Sequence, residues 1–138
     1  MAITQTTCTS FKVELLTGTH DFSSDVFKIA LYTGDATLGA DTAVYSTANE
    51  TVASGYTAGG NTLTVSTTPT SSSTIAYVSF ANTSWSSALT ARGALIYNSS
   101  KSDKAVSVLD FGADKTSSAT FVVTFPTADA TSAIVRIS

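Results

Sequence analysis

Few residues of this 138-residue chain could carry out chemistry. The single histidine, His20, is followed by Asp21, and serines are abundant, so the residue types of a Ser-His-Asp triad are present. The Gly-x-Ser-x-Gly turn that presents such a serine is missing. We therefore expect His20 to be structural, at the end of a short helix and bonded to a neighbouring carbonyl.

Metal chemistry finds equally little support. Asp110-Phe-Gly112 matches the magnesium-binding tripeptide of protein kinases. The glycine-rich loop, the strand lysine and the catalytic loop of a kinase are missing, so we interpret these three residues as a strand end followed by a turn. Cys8 and one histidine cannot supply a zinc site. No calcium-loop pattern connects the aspartates that could converge on calcium, which are Asp35, Asp41, Asp110 and Asp114.

Glycoside hydrolysis requires two carboxylates that flank the scissile bond. The only glutamates are Glu14 and Glu50, and the aspartates lie mostly at predicted turns. We therefore predict no enzymatic activity, no catalytic residues, no metal and no cofactor.

Sugar binding is the stronger alternative, because exposed aromatic side chains can stack on sugar rings. Trp85 lies in a predicted loop, and five tyrosines accompany it: Tyr32, Tyr45, Tyr56, Tyr77 and Tyr97. The small residues around Trp85 would also let it fold back between two strands, where it buries a large apolar area. We favour this buried position.

The composition narrows the classes of partner that this protein could bind. Charged residues make up 12% of the chain, the net charge is −3, and the seven Lys and Arg residues are scattered, so we expect no nucleic-acid binding.

No apolar run reaches the roughly 18 residues of a membrane helix. The first ten residues lack a secretory pattern, and one cysteine cannot form an intrachain disulfide. We expect one domain, residues 1–138, made in the cytoplasm.

Alternation of apolar and polar residues dominates the chain and predicts an all-β fold. The alternating segments are residues 26–32, 62–66, 74–80, 91–98, 105–111, 119–125 and 133–138. Weaker candidates lie at 43–45 and 52–56, which gives about seven to nine strands and predicts an antiparallel two-sheet sandwich or jelly roll. Residues 33–60 are predicted to form a long loop or arm, and 66–73 a plain loop.

One segment, residues 10–17, has helical spacing. Ser10 is the predicted N-cap, Phe11 and Leu15 stand at i and i+4 with Leu16 beside them, and Gly18 is the predicted C′ residue. So short a helix needs a surface to lie on. The predicted helix could therefore cap the open end of its own sandwich or contact a partner.

The order of these segments resembles that of a family of small tailed-bacteriophage virion proteins, of the capsid cement or decoration type. The resemblance covers about residues 10–137. The segments that carry it are FKVELLTGTHDF (11–22), DVFKIALYT (25–33), GYTAGG (55–60), ARGALIY (91–97), VLDFG (108–112) and FVVTFP (121–126).

This resemblance implies a β-sandwich of jelly-roll type on the outer face of a phage capsid. Its implied partners are the major capsid protein and copies of itself, as a trimer or dimer, with synthesis in the bacterial host cytoplasm. The residues that we predict for an interface are Phe11, Leu15, Leu16, Phe22 and Trp85. The alternatives are a tail, neck or fibre-associated virion module, and a carbohydrate-binding adhesive module.

Overall fold

A computed structural model describes residues 2–138, and this part of the chain is mostly β. The elements are β1 (Thr6–Thr7), α1 (Thr9–Leu16), β2 (Phe27–Tyr32), β3 (Asn61–Thr62), β4 (Val65–Ser72), β5 (Ile75–Phe80), β6 (Thr83–Trp85), β7 (Thr90–Asn98), β8 (Lys104–Thr116), β9 (Phe121–Val123) and β10 (Val135–Ile137). A single 3₁₀ turn, Ser99–Lys101, joins β7 to β8. The predicted all-β class with antiparallel pairing is confirmed.

The largest sheet has five strands in the order β1-β8-β7-β2-β3. Its central pair, β2 and β7, runs antiparallel from Phe27 opposite Asn98 to Tyr32 opposite Gly93. The large apolar residues of both strands are buried, as expected where both faces of a sheet are covered. This sheet carries α1, whose main contacts are with β8.

Two smaller sheets complete the fold, β10-β5-β4 and β6-β9. The prediction of a plain loop at residues 66–73 was wrong, because β4 runs through this segment and pairs with β5. Its Ser and Thr side chains face solvent, and Pro69 is tolerated because β4 is an edge strand with an irregular register. Composition alone therefore misread a polar edge strand as a loop.

Other predictions about the strands also need correction. The described residues hold ten strands rather than seven to nine, because several are only two or three residues long. The candidates at 43–45 and 52–56 form single bridges, Val44 to Lys104 and Ala53 to Tyr56, without becoming strands. Residues 33–60 contain no strand and fold back against the large sheet.

Candidate interaction surface

The helix α1 is fixed at its C-terminal end by backbone geometry. Gly18 adopts φ +71°, and its N–H donates to the carbonyl of Leu15 at 3.3 Å. The N–H of Thr19 donates to the carbonyl of Glu14 at 3.0 Å, which completes a Schellman motif. The prediction of Gly18 as C′ is confirmed.

The N-terminal end of α1 differs from the prediction. The helix begins at Thr9, so Ser10 lies inside it, and the N-cap is Cys8 without a side-chain bond. The backbone N–H of Cys8 instead donates to the carbonyl of Val106 in β8 at 3.0 Å. The sheet rather than a cap residue therefore sets where α1 starts. Burial raises the pKa of the Cys8 thiol to about 11, which makes it a poor nucleophile at neutral pH.

The inner face of α1 packs into an aromatic cluster. Phe11 is 1% exposed, and its ring lies 4.8 Å from His20 and 6.0 Å from Phe22. Phe22 stacks on Phe27 of β2 at 4.4 Å. Of the predicted interface residues, Phe11 thus belongs to the core, and Phe22 packs against it.

The outer face of α1 carries two exposed apolar side chains next to the charged Lys12. Leu16 is 90% exposed and Val13 is 58% exposed, and they stand at i+3 and i, so they share one side of the helix. Phe11 therefore packs inward against the core of the protein, while Leu16 projects outward into solvent. Leu15 lies between them and is half-buried against the core.

A buried polar network holds α1 to the sheet. The His20 side chain is fully enclosed, and its Nε2 lies 2.8 Å from Glu14 Oε1. Asn98 Nδ2 lies 3.0 Å from His20 Nδ1 and donates to Asp25 Oδ2 at 2.8 Å. Because the Asn98 amide is the donor, Nδ1 accepts and the ring proton sits on Nε2. The prediction that His20 bonds a carbonyl was wrong, since both of its partners are side chains.

Asp25 and Lys101 close this network at its outer end. The Lys101 ammonium donates to both Asp25 oxygens, at 2.8 and 2.9 Å. Burial raises the pKa of the Asp25 carboxyl, but bonds from Lys101, Asn98 and the backbone outweigh it and bring the pKa down to about 2. A charged carboxylate therefore anchors the chain just after α1.

A small hollow opens beside α1. It measures about 90 Å³, and its walls are the side chains of Phe11, Leu15 and Phe22 together with residues of β4, β5 and β10. Pockets for drug-sized ligands hold ~300–1,000 Å³, so this hollow is too small for one. An apolar hollow of this size suits a single apolar group.

The 33–60 connection is anchored by a buried carboxylate. Glu50 is 7% exposed and accepts three hydrogen bonds, from the hydroxyls of Tyr45 and Tyr56 at 2.6 Å each and from the N–H of Gly59 at 2.7 Å. Tyr97 of β7 donates to the Gly59 carbonyl at 2.6 Å. We call residues 33–60 the strap: Glu50 holds its parts together, while the Tyr97 bond and a bond from the Leu31 N–H to the Tyr56 hydroxyl at 2.8 Å join it to the large sheet.

The tyrosines around Glu50 hold their protons more tightly than free tyrosine does. Burial, followed by the hydrogen bond to Glu50, raises the pKa of Tyr45 and of Tyr56. Burial and the charges of Asp103 and Glu50 raise the pKa of Tyr97 to about 12. These hydroxyls therefore remain neutral donors near neutral pH. Sequence reasoning missed this cluster, because Glu50 was weighed only as a catalytic acid.

Trp85 lies in β6 rather than in a loop, and it is 4% exposed. Its ring packs near Tyr56 and Phe121, at centroid distances of 5.9 and 6.3 Å. The prediction that Trp85 is buried is confirmed, which removes it as a platform for sugars and as an exposed interface residue.

The aspartates considered as calcium ligands do not assemble into a metal site in residues 2–138. Asp110 lies inside β8 instead of at a strand end, where it accepts from the Gly112 N–H at 2.9 Å and from Arg92 at 3.2 Å. Across residues 2–138, no three His, Cys, Asp or Glu side chains come together as metal ligands would. Within the same range, no helix is long and apolar enough to cross a membrane.

Comparison with known proteins gives no relative: no protein-family model matches the sequence, and neither curated proteins nor solved structures yield a match.

Proposed function

We propose that this chain is a structural protein of a tailed-bacteriophage virion, a capsid cement protein that binds the outer face of the mature shell. In this proposal its sheets form a sandwich of jelly-roll type, and it carries no enzymatic site. The order of sequence segments from residue 10 to residue 137 supports the assignment by resemblance. The structure contributes one further observation.

That observation is the distribution of exposed apolar side chains over the surface of the protein. Among the described residues, seven large apolar side chains are exposed, and four of them lie in two segments, the N-terminal residues 2–22 and the strap. These four are Val13, Leu16, Val44 and Val52. Both segments are held rigidly, one by the His20 network and the other by Glu50. Rigid apolar surface costs little ordering entropy on binding, which favours a contact role.

The mechanism follows from mass action. A protein that binds only the mature shell lowers the free energy of that state and leaves the immature state unchanged. Many copies act on one closed shell, so weak individual contacts add up. With a net charge of −3 and few charged groups, the contacts in this proposal are apolar and hydroxyl-based rather than ionic.

The first test is copy number. Intact particles from the source of this gene are purified, and the chain is quantified against the major capsid protein by calibrated mass spectrometry. A ratio near one copy per shell subunit, or a simple fraction of it, supports cement. A ratio of a few per hundred would instead place the chain in the tail or neck, and absence from the particle would overturn both virion roles.

The second test addresses the surface. Val52 is 94% exposed in the strap, so Val52→Asp should keep the fold but weaken binding to shells that lack the protein. Val122→Asp is the matched control, because Val122 is also exposed, at 56%, but lies in β9, outside both segments. Equal binding by both variants and the wild type would refute a contact role for the strap.

A further inference from the structure

A groove of about 860 Å³ lies beside β9. Every residue from 115 to 126 lines it, and so do Leu109 and Phe111 of β8 and Ile134. Successive side chains of a strand point to opposite faces, so a cavity that contacts each residue of β9 in turn follows the edge of the strand rather than one of its faces. The groove therefore runs along an edge of β9, and its volume falls within the ~300–1,000 Å³ of ligand sites.

This edge of β9 has no strand beside it. β9 belongs to a sheet of two strands, and β6 covers its other edge, from Thr83 opposite Val123 to Trp85 opposite Phe121. Within residues 2–138, the backbone of β9 makes strand bonds to β6 alone. Half of the N–H and C=O groups of such a strand point away from its partner, and they form a template for a further strand. A two-stranded sheet also gains stability from a third strand.

The strand on the opposite side of the groove offers no such template. The N–H of Asp110 in β8 donates to the side-chain oxygen of Gln5 at 3.1 Å. The N–H of Gly112 donates to the Asp110 carboxylate at 2.9 Å. Side chains therefore satisfy these donors of β8, and β9 is the strand to which an incoming backbone can bind.

The inner side of the groove is apolar. Phe111 is half-buried there, and its ring centroid lies 6.1 Å from that of Phe121 in β9. Ile134 is also half-buried and lines the same space. A strand added beside β9 would turn every second side chain inward, as Phe121 is, and the others outward beside the exposed Val122. An occupant that fits the groove therefore alternates apolar and polar residues.

Lys115 determines the charge of the occupant. It is exposed, and it is the one charged side chain among the residues that line the groove. Within residues 2–138 it forms no ion pair, since the neighbouring Asp114 lies beside Gly34 instead. An acidic side chain in the occupant would pair with this ammonium group.

We propose that the groove binds an extended segment of another protein as a third strand on the open edge of β9. In this segment apolar and polar residues alternate, and one residue is acidic. Main-chain bonds to β9 supply the affinity, and the apolar side chains and Lys115 supply the selectivity. The site goes beyond shell binding, because only Gln5 of its lining belongs to residues 2–22 or to the strap.

The experiment records two-dimensional amide NMR spectra of the labelled full-length chain during titration with a peptide library. The library consists of acetylated eight-residue peptides in which Val, Ile or Phe alternates with Ser or Thr, and one polar position holds Asp. Saturable shifts are expected at the amides of residues 115–126. A second library with Lys in place of Asp should bind about fivefold more weakly, because its charge repels Lys115.

Charge reversal tests the role of Lys115. Lys115→Glu should keep the fold, because the side chain is exposed, and it should reverse the preference between the two libraries. Lys12→Glu is the matched control, since Lys12 is an exposed lysine of α1 outside the groove. It makes the same change in net charge and should retain the wild-type preference for the Asp library.

Backbone methylation tests strand addition itself. The tightest-binding peptide is resynthesised with methyl groups on alternate backbone nitrogens, in one version along one edge and in a second version along the other edge. A peptide that pairs with β9 uses the N–H groups of one edge only, so one version should lose binding and the other should retain it.

Four results would overturn the proposal: no binding of either library, shifts that lie outside residues 115–126, equal binding by both methylated versions, or shifts at β9 that grow with protein concentration in the absence of peptide. The last result would assign the open edge to a second copy of the chain. None of them bears on shell binding, which is tested separately on particles by copy number.

Discussion

Replacing Glu50 with alanine tests how the strap is held. The change removes the acceptor for the Tyr56 hydroxyl and the Gly59 N–H, both buried, and for the half-buried Tyr45 hydroxyl. An orphaned buried donor costs about 1–3 kcal/mol, so the two buried donors together cost about 2–6 kcal/mol. Part of this is recovered, because a buried carboxylate is no longer desolvated. We expect Glu50→Ala to lower the free energy of unfolding by about 3 kcal/mol, a large share of the about 5–15 kcal/mol typical of a domain.

The assay is urea unfolding at neutral pH, combined with hydrogen exchange. Glu50→Gln is the matched control, because its remaining oxygen can still accept from Tyr56 and Gly59, and it should cost only about 1 kcal/mol. Exchange should accelerate first at strap amides such as those of Gly59 and Thr51, while amides paired between β2 and β7 stay protected. A loss below about 1 kcal/mol in Glu50→Ala, or a Gln variant as unstable as the Ala variant, would refute the reasoning.

Three further outcomes are expected. Folding raises the pKa of Tyr97 from 10.0 to about 12, so the unfolded chain loses this proton at a lower pH than the folded protein does. The free energy of unfolding should therefore fall as the pH rises from 10 towards 12. In a pH titration, tyrosinate absorbance should rise together with the loss of circular dichroism. The folded-state pKa of Asp25 is lowered from 3.8 to about 2, so stability falls as pH drops through this range, and Asp25→Asn should flatten that part of the acid unfolding curve. Gly60→Ala should prevent folding, because a Cβ at this position overlaps the Ile29 carbonyl. Gly18 has a similar positive φ, but a Cβ there meets open space. Gly18→Ala should therefore lower the free energy of unfolding, measured in urea, by only about 1 kcal/mol.

Local patterns in the sequence predicted the parts of this fold that depend on local geometry. Apolar patterning located β2 and β7 to within one residue, because strands covered on both faces carry apolar residues along most of their length. The end of α1 was predictable from Gly18, since the positive φ of a C′ residue favours glycine. β4 escaped prediction because its hydroxyl side chains alternate in burial at one end only and face solvent along the rest.

The candidate sites were less predictable, because their residues meet through tertiary contacts. Glu50 binds groups five, six and nine residues away, at spacings that match neither a helix nor a strand. His20 and Asn98 are 78 residues apart and come together only when α1 packs on the large sheet. The exposure of Leu16 could not be predicted for a similar reason. The helix has apolar residues on both sides, and its sequence does not reveal which side packs inward.

The pairing of β1 with β8 also has a consequence for synthesis. Thr6 lies opposite Val108, and the N–H of Cys8 bonds the carbonyl of Val106, so the start of α1 is fixed by residues almost a hundred positions later. During translation, the N-terminal segment leaves the ribosome long before its partner strand exists. The helix can therefore take its final place only after most of the chain has been made. Contacts between residues so far apart in sequence form slowly, because a long loop has to close first. Nearly complete molecules are therefore the first to display the exposed apolar residues of α1 in their native arrangement.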